Sequence, residues 1–151
     1  MTINFESIGF VKNNITEKKD TNWGNDISEL VINEELTRGL TGLSEFSHLI
    51  VITYLNEAKF EIENHIERHP QGRKDLPIVG IFAQRAKDRP NPIGITAVEI
   101  MNIEKNIITV KGLDAINHTP IIDIKPYFPQ YDCRENVRYP EWINVIMRDY
   151  F

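Results

Sequence analysis

Charged side chains on a stiff backbone stand out in the segment "QRAKDRPNPIG", residues 84–94. Arg85 and Arg89 carry planar guanidinium groups, which can pair with a carboxylate or a phosphate through two hydrogen bonds at once. Pro90 and Pro92 fix φ and push the residues before them toward extended backbone, so the segment is stiff and not helical. A stiff loop loses little conformational entropy when it binds a ligand. The pattern predicts a binding loop or, with equal weight, a proline-rich turn that carries two surface arginines.

A second group of such side chains lies in "GLDAINHTPIIDIKPY", residues 112–127. Asp123, Lys125 and Tyr127 alternate along a predicted strand, so their side chains share one face of it. An acid, a cation and a phenol on one face would form a pocket wall that can orient a substrate or accept its proton. The alternative is an ion pair at a sheet edge without any ligand.

Histidine and cysteine suggest no further chemistry. His48 follows Phe46 and Ser47 at the start of an apolar segment, where a hydrogen-bonded core histidine is a better interpretation than a base or a ligand. Cys133 is the single cysteine, so it has no internal disulfide partner. No spacing of Cys and His matches a zinc site, and we expect no metal.

The composition is typical of one globular domain. The chain has 151 residues, 41% of them hydrophobic and 26% charged, and a formal net charge of −5. An acidic chain argues against nonspecific coating of nucleic acid, although six Lys and Arg against two Asp in residues 68–89 leave a local charge of +4. That window allows an anionic ligand or is a solvated loop. No apolar run reaches the roughly 20 residues of a membrane helix, and we expect a cytoplasmic protein without membrane contact.

The elements that position these residues are mostly strands. Alternating or β-branched residues predict strands at 4–13, 28–36, 46–55, 77–84, 94–103, 106–113 and 120–129. The fifth and sixth of these flank Glu104 and Lys105 and predict a hairpin. Residues 59–69 alternate in a way that favours an extended arm, and residues 14–26 form a polar loop that holds Trp23.

The tail is the one segment with a helical pattern. Trp142, Val145, Ile146 and Tyr150 share a helix face, and Pro140 suits a first helical turn. Six or seven strands and one terminal helix predict a mainly β fold, a single small barrel that leaves few open edges, and exclude a doubly wound nucleotide-binding sheet. We assign the barrel to residues 1–135 and the helical tail of the same domain to residues 136–151.

Three segments together resemble one known family. "FSHL" at 46–49, "GIFAQRAKDRPNPIG" at 80–94 and the segment 112–127 closely resemble, in the same order, motifs of the TrmO family, also called TsaA-like or YaeB-like. The resemblance spans residues 4–130. It implies a small dimeric β-barrel, a non-Rossmann methyltransferase that binds S-adenosylmethionine and methylates N6 of threonylcarbamoyladenosine at position 37 of certain tRNAs.

The resemblance also assigns site residues, motif by motif. Residues that would contact the cofactor, or form the rigid wall beside it, are Leu55, Asn56, Arg85, Arg89, Pro90, Asn91, Pro92, Ile95, Leu113 and Asp114. The candidate catalytic residues, which would orient the acceptor or take its proton, are Asp123, Lys125 and Tyr127.

Two segments depart from the family pattern. His118 stands where the family usually has glycine, and "DTNWGND" at 20–26 replaces a proline, an arginine and a glutamine. Two other functions therefore stay open: methylation of a small molecule or another RNA, and a non-catalytic sensor that binds S-adenosylmethionine.

Overall fold

A closed antiparallel barrel forms the body of the molecule. The computed structural model describes residues 1–151, and six strands close in the order β1-β2-β7-β6-β3-β8. The strands are β1 (Gly9–Lys12), β2 (Ile27–Ile32), β3 (His48–Tyr54), β6 (Ile93–Glu104), β7 (Ile107–Lys111) and β8 (Pro120–Pro126). A separate small sheet pairs β4 (Glu67–Arg68) with β5 (Val79–Gly80). The predicted mainly β barrel is confirmed.

Short helices connect and follow the strands. The α-helical turns are α1 (Ile62–His65), α2 (Pro129–Asp132) and α3 (Trp142–Met147), and 3-10 turns cover Glu34–Leu40, Leu43–Glu45, Pro70–Gly72 and Ile81–Ala83. The helix predicted in the tail is α3. None of these helices has the length and the apolar content needed to cross a lipid bilayer.

Alternate residues of the strands fill the barrel. On β3, Leu49, Val51 and Thr53 are buried, and the residues between them face outward. The core side chains from the other strands are Val11, Leu30, Ile32, Val98, Ile108, Val110 and Ile121. After β7, Leu113 and Ala115 also join this core, so the segment that contains Asp114 packs directly on the barrel.

The hairpin predicted from the sequence joins β6 to β7. Glu104 pairs with Ile107, so the turn is made by Lys105 and Asn106, one residue later than expected. Lys105 has a φ of 54°, the left-handed backbone that tight two-residue hairpin turns require.

The first strand is shorter than predicted. Residues 4–13 alternate, but only Gly9–Lys12 is a strand, and the Phe5 side chain is 64% exposed. The reason is the length of its neighbours, since β2 ends at Ile32 opposite Gly9. Alternation without a paired strand does not extend the sheet.

The strand predicted at residues 77–84 is largely wrong. Only Val79–Gly80 is extended, it pairs with β4 outside the barrel, and a 3-10 turn follows it. Gln84 supplies the physical reason: its Nε2 donates to the carbonyl oxygens of Arg68 at 3.1 Å and of Val79 at 2.8 Å. A side chain thus satisfies backbone groups that a barrel strand would satisfy by pairing.

The extended conformation predicted at residues 59–69 is wrong in its centre. Ile62–His65 forms the helical turn α1, and the backbone N–H of Glu61 donates to Nδ1 of His65 at 2.9 Å. Ile62 and Ile66 are 58% and 41% exposed. The alternation of these residues therefore does not correspond to a buried sheet face. The local hydrogen bond between Glu61 and His65 favours a helical backbone instead.

Candidate cofactor site

The stiff segment 84–94, here called the bracket, folds back onto the start of β6. Nη2 of Arg85 donates a hydrogen bond to the backbone oxygen of Ile95. A guanidinium has five N–H donors, and this contact uses one of them. Arg85 is exposed, so its remaining donors face solvent beside the barrel.

Arg89 stabilises the bracket from within. Its Nη1 donates to the carbonyl oxygen of Gln84 at 3.0 Å and reaches that of Ala86 at 3.4 Å. These bonds close the loop on itself. Of the two bracket arginines, Arg85 is the one turned toward β6.

Asp88 ties the bracket to the neighbouring segment. Its carboxylate accepts hydrogen bonds from the backbone N–H of Lys59 at 2.9 Å and from Nζ of Lys87 at 2.6 Å. Arg68 Nη1 lies 3.8 Å away. Burial alone would raise the pKa of Asp88, but these hydrogen bonds and positive charges outweigh it and hold the pKa below its ordinary value. Asp88 is therefore an ionised clamp on the bracket.

The end of β3 meets the bracket at Pro92. The N–H of Leu55 donates to the carbonyl oxygen of Pro92 at 2.7 Å, and the N–H of Ile93 to that of Asn91 at 2.8 Å. A Cβ on Gly94 would lie 2.5 Å from Oγ1 of Thr53, so only glycine allows this approach. Leu55 thus borders the bracket, and Asn56 is its exposed neighbour.

The carboxylate of Asp114 is held beside β6. Oδ1 of Asp114 accepts a hydrogen bond from Oγ1 of Thr96, and Oδ2 accepts one from the Tyr150 hydroxyl at 2.8 Å. Leu113 is 1% exposed and packs in the core, so its backbone, and not its side chain, is what a ligand would meet. Arg85 and Asp114 therefore bond to consecutive residues of β6, Arg85 to the backbone of Ile95 and Asp114 to the side chain of Thr96.

Two residues of this arrangement lie outside the site residues named from the sequence. Thr96 is an inward-facing strand residue, and its hydroxyl among apolar neighbours is a signal for a buried partner. Tyr150 is 36 residues from Asp114 in the chain. Its spacing from Trp142 and Ile146 predicts only that Tyr150 lies on the apolar face of the tail helix.

The candidate catalytic residues lie on the outer side of the barrel. Nζ of Lys125 donates to Oδ2 of Asp123 at 2.5 Å, and both side chains are substantially exposed. This hydrogen bond and the negative charge of Asp123 raise the pKa of Lys125. Tyr127 instead lies beside His48, with ring centroids 6.4 Å apart.

Register relates the Asp123 pair to the Arg85 contact. Asp123 pairs with Ile52, and Ile52 pairs with Ile95. Adjacent strands are about 4.8 Å apart, so Asp123 lies about 10 Å across the sheet from Ile95. Asp123 and Ile95 therefore lie at the same level of one barrel face.

His48 is not the core histidine that the sequence predicted. It is exposed, and its Nδ1 lies 2.8 Å from Oγ of Ser47. Leu49 takes the inward position at the start of β3, so alternation turns His48 outward.

Two hollows of the surface lie elsewhere. One of about 760 Å³ is lined by Phe10, Lys12 and His118, and one of about 380 Å³ lies beside Gly42 and Phe46. His118 has a φ of 64°, and so keeps the left-handed backbone for which the family uses glycine. No three His, Cys, Asp or Glu side chains are grouped so that they could hold a metal ion.

Comparison with known proteins gives consistent matches. Residues 12–133 match the family model of the tRNA-methyltransferase O N-terminal domain. A probable S-adenosyl-L-methionine-binding protein of Pyrococcus abyssi is 37% identical over 148 residues, which cover 91% of this chain and 75% of that protein. A human tRNA (adenine(37)-N6)-methyltransferase is 33% identical over 102 residues, 67% of this chain and 22% of the human protein.

A solved structure has the same fold. TrmO from Pseudomonas aeruginosa superimposes with a TM-score of 0.76 at 25% identity and covers 94% of this chain. The chain spans 62% of the length of that TrmO chain.

Proposed function

The chain belongs to the family of the tRNA-methyltransferase O N-terminal domain, and we propose that it is an S-adenosylmethionine-dependent methyltransferase that acts on N6 of threonylcarbamoyladenosine at position 37 of tRNA. The relative from Pyrococcus abyssi is named a probable S-adenosyl-L-methionine-binding protein, which supports the cofactor. The human relative is named a tRNA (adenine(37)-N6)-methyltransferase, which supports tRNA as the class of acceptor. The threonylcarbamoyl group is the finer part of this proposal.

The donors at the bracket suit this cofactor. S-adenosylmethionine supplies an activated methyl group, and it carries a carboxylate, an ammonium group and an adenine ring. Arg85 offers free N–H donors, Asp114 offers carboxylate lone pairs, and Ile95 and Leu55 offer apolar surface. The observation that carries the proposal is that Arg85 and Asp114 bond to consecutive residues of β6, Ile95 and Thr96.

The acceptor residues follow from the register. The chain's role in methyl transfer is chiefly to hold two reactants in the right geometry. Asp123 lies two strands, about 10 Å, from the Arg85 contact on the same barrel face. We therefore assign acceptor binding and proton removal to Asp123, Lys125 and Tyr127, and cofactor binding to the bracket and its neighbours.

We also propose a homodimer that pairs through the outer face of β3 and β6, so that the interface borders the cofactor and acceptor residues. Ile50, Ile52, Ile95 and Ala97 point outward there, and Ile95 is 49% exposed. A solvated face of an antiparallel sheet is usually polar, so an apolar one favours a protein interface. Residues 1–135 and 136–151 act as one domain in this proposal.

The first test is isothermal titration with S-adenosylmethionine and S-adenosylhomocysteine, repeated on Arg85→Ala. We expect micromolar binding, of about −8 kcal/mol, that Arg85→Ala abolishes and that the exposed control Arg38→Ala retains. No binding of either ligand by the wild-type protein would contradict the proposal.

The second test concerns the acceptor. Purified protein is incubated with labelled S-adenosylmethionine and unmodified or threonylcarbamoylated tRNA, over a series of salt concentrations. We expect methylation of the threonylcarbamoylated tRNA and an affinity that falls steeply with salt, because phosphate contacts release counterions. Turnover of small molecules alone, or binding without any turnover, would replace the tRNA proposal with one of the two alternatives.

A further inference from the structure

Tyr150 is held in place although it follows the last helix. The N–H of Trp23 donates to the carbonyl oxygen of Tyr150 at 2.8 Å, and the N–H of Asn22 to that of Asp149 at 2.7 Å. Trp23 is 3% exposed and lies under Nζ of Lys19, 4.6 Å from the ring centroid. The segment 20–26, which departs from the family pattern, thus fixes the backbone of Tyr150.

The phenol of Tyr150 acts as a fixed donor. Its hydroxyl donates to Oδ2 of Asp114 at 2.8 Å, while Thr96 donates to the other oxygen. Burial and the charge of Asp114 raise the pKa of Tyr150 above its ordinary value, with Asp20 adding to the rise and Arg85 opposing it. Tyr150 is therefore protonated at any working pH, and two elements hold the carboxylate in one orientation.

Asp114 has capacity for a further partner. A carboxylate offers about four lone-pair positions, and Tyr150 and Thr96 occupy two of them. Arg85 is bound to the carbonyl of Ile95, the group bonded directly to the backbone nitrogen of Thr96. Arg85 and Asp114 thus bond to neighbouring residues of one strand, and their charges are opposite to those of the carboxylate and the ammonium of an α-amino acid group.

Resting on the proposed function, we propose that Tyr150 is a positioning residue. It orients Asp114 to accept a hydrogen bond from the α-ammonium group of S-adenosylmethionine, while Arg85 takes the α-carboxylate. The methionyl end of the cofactor then lies along Ile95 and Thr96.

The test compares three ligands on wild-type protein, Tyr150→Phe and the exposed control Tyr131→Phe. The ligands are S-adenosylmethionine, its decarboxylated form, which keeps the amine, and 5′-methylthioadenosine, which lacks both charged groups. Tyr150→Phe should weaken the first two roughly tenfold, because a bond to a charged group is lost. It should leave 5′-methylthioadenosine unchanged, and Tyr131→Phe should match wild type with all three.

The outcomes separate this proposal from the proposed function. No binding of S-adenosylmethionine by the wild-type protein would overturn both. Normal binding by wild type and an equal affinity in Tyr150→Phe would overturn the role of Tyr150 alone. Equal weakening of all three ligands would also overturn it, because a damaged site, and not a lost ammonium contact, gives that result.

A double mutant tests the route through Asp114. Adding Tyr150→Phe to Asp114→Asn should cause no further loss of affinity, whereas additive losses would overturn an action through that carboxylate. Thermal melting accompanies each variant. If Tyr150→Phe is unfolded at the assay temperature, Thr96→Val is used in its place, because it removes the other hydrogen-bond donor to Asp114. Thr96→Val must then weaken S-adenosylmethionine and its decarboxylated form and leave 5′-methylthioadenosine unchanged.

Discussion

The ion pair of Asp123 and Lys125 determines which of the two side chains can accept a proton. The hydrogen bond from Lys125 to Asp123 raises the pKa of the lysine, which therefore stays protonated. Asp123 accepts the hydrogen bond from Lys125, and we therefore propose its carboxylate, and not the ammonium group, as the base for an exocyclic amine. Lys125 would hold that carboxylate in place.

This assignment predicts a selective loss of turnover. Asp123→Asn should lower kcat roughly 100-fold, since one general base is removed. Its affinity for S-adenosylmethionine should not change, because Asp123 lies about 10 Å from the Arg85 contact. Steady-state kinetics with tRNA and titration with the cofactor measure the two effects.

Tyr127→Phe completes this prediction, with Glu104→Gln at the far hairpin as the control. Loss of the phenol should raise KM for the acceptor more than it lowers kcat, since the Tyr127 ring lies beside His48 and we assign it to acceptor binding. Full turnover and unchanged acceptor affinity in both Asp123→Asn and Tyr127→Phe would exclude these residues from the reaction.

Among the elements, the bracket has its own electrostatic clamp. Asp88 bonds to Lys59 and Lys87 and lies near Arg68. Its pKa in the folded protein is lower than in the unfolded chain. Such a carboxylate stabilises the fold above its unfolded pKa, and the contribution is lost as the pH falls through the lowered folded value.

We therefore predict that Asp88→Asn lowers Tm at pH 7 and that its difference from wild type shrinks as the pH falls below about 4. Melting curves from pH 7 to pH 3 provide the measurement. Glu63→Gln, an exposed change on α1, serves as control and should follow wild type. A difference that stayed constant down to pH 3 would show that charge on Asp88 does not stabilise the bracket.

Closure of the barrel depends on a close approach at Gly9. A Cβ there would lie 2.2 Å from the carbonyl oxygen of Val31 and 2.9 Å from Cα of Ile32. Both neighbours are backbone atoms of the paired strand β2, so neither can rotate away as a side chain would.

Gly9→Ala should accordingly lower Tm by on the order of 10 °C, as overpacking against a strand backbone does. Gly39→Ala is the matched control: no atom lies within 4 Å of its added Cβ, and Tm should be unchanged or slightly raised. Differential scanning calorimetry of both variants gives the comparison. Equal melting of the two variants would mean that β1 and β2 can separate without cost.

At the scale of the whole molecule, a basic segment lies beside an apolar sheet face. Residues 68–89 carry +4 within a chain of −5, and Arg85 of this segment bonds to Ile95. The outer face of β3 and β6 presents Ile50, Ile52, Ile95 and Ala97. A basic window suits the tRNA backbone, and an apolar sheet face suits a second copy of the chain.

The proposed homodimer is tested by Ala97→Glu. The added charge points outward from an exposed position, so it should leave the monomer folded and convert a dimer to monomers in sedimentation equilibrium. Asn102→Glu adds the same charge farther along β6 and should leave the dimer intact. A wild-type monomer, or a dimer unaffected by Ala97→Glu, would exclude this face as the interface.

The sequence by itself determined β3 and β6 and the stiffness of the bracket. Inward and outward residues alternate on β3 and β6 because each strand has one face on the core, and this period is readable without any partner. Pro90 and Pro92 restrict their own backbone and that of the residues before them, which is also a local property. Both signals are physical constraints within a few residues of chain.

Only the tertiary structure determined which distant residues are hydrogen-bonded to one another. Asp114 and Tyr150 are 36 residues apart in the chain. The carbonyl oxygens of Arg68 and Val79 accept hydrogen bonds from the Gln84 side chain, and not from the backbone of a barrel strand. Periodicity reports which residues are buried along one element, but a hydrogen bond between distant residues exists only after the barrel has closed and brought its ends together. For this reason the sequence named Arg85 and Asp114, while the folded chain supplied Thr96 and Tyr150 to hold that carboxylate.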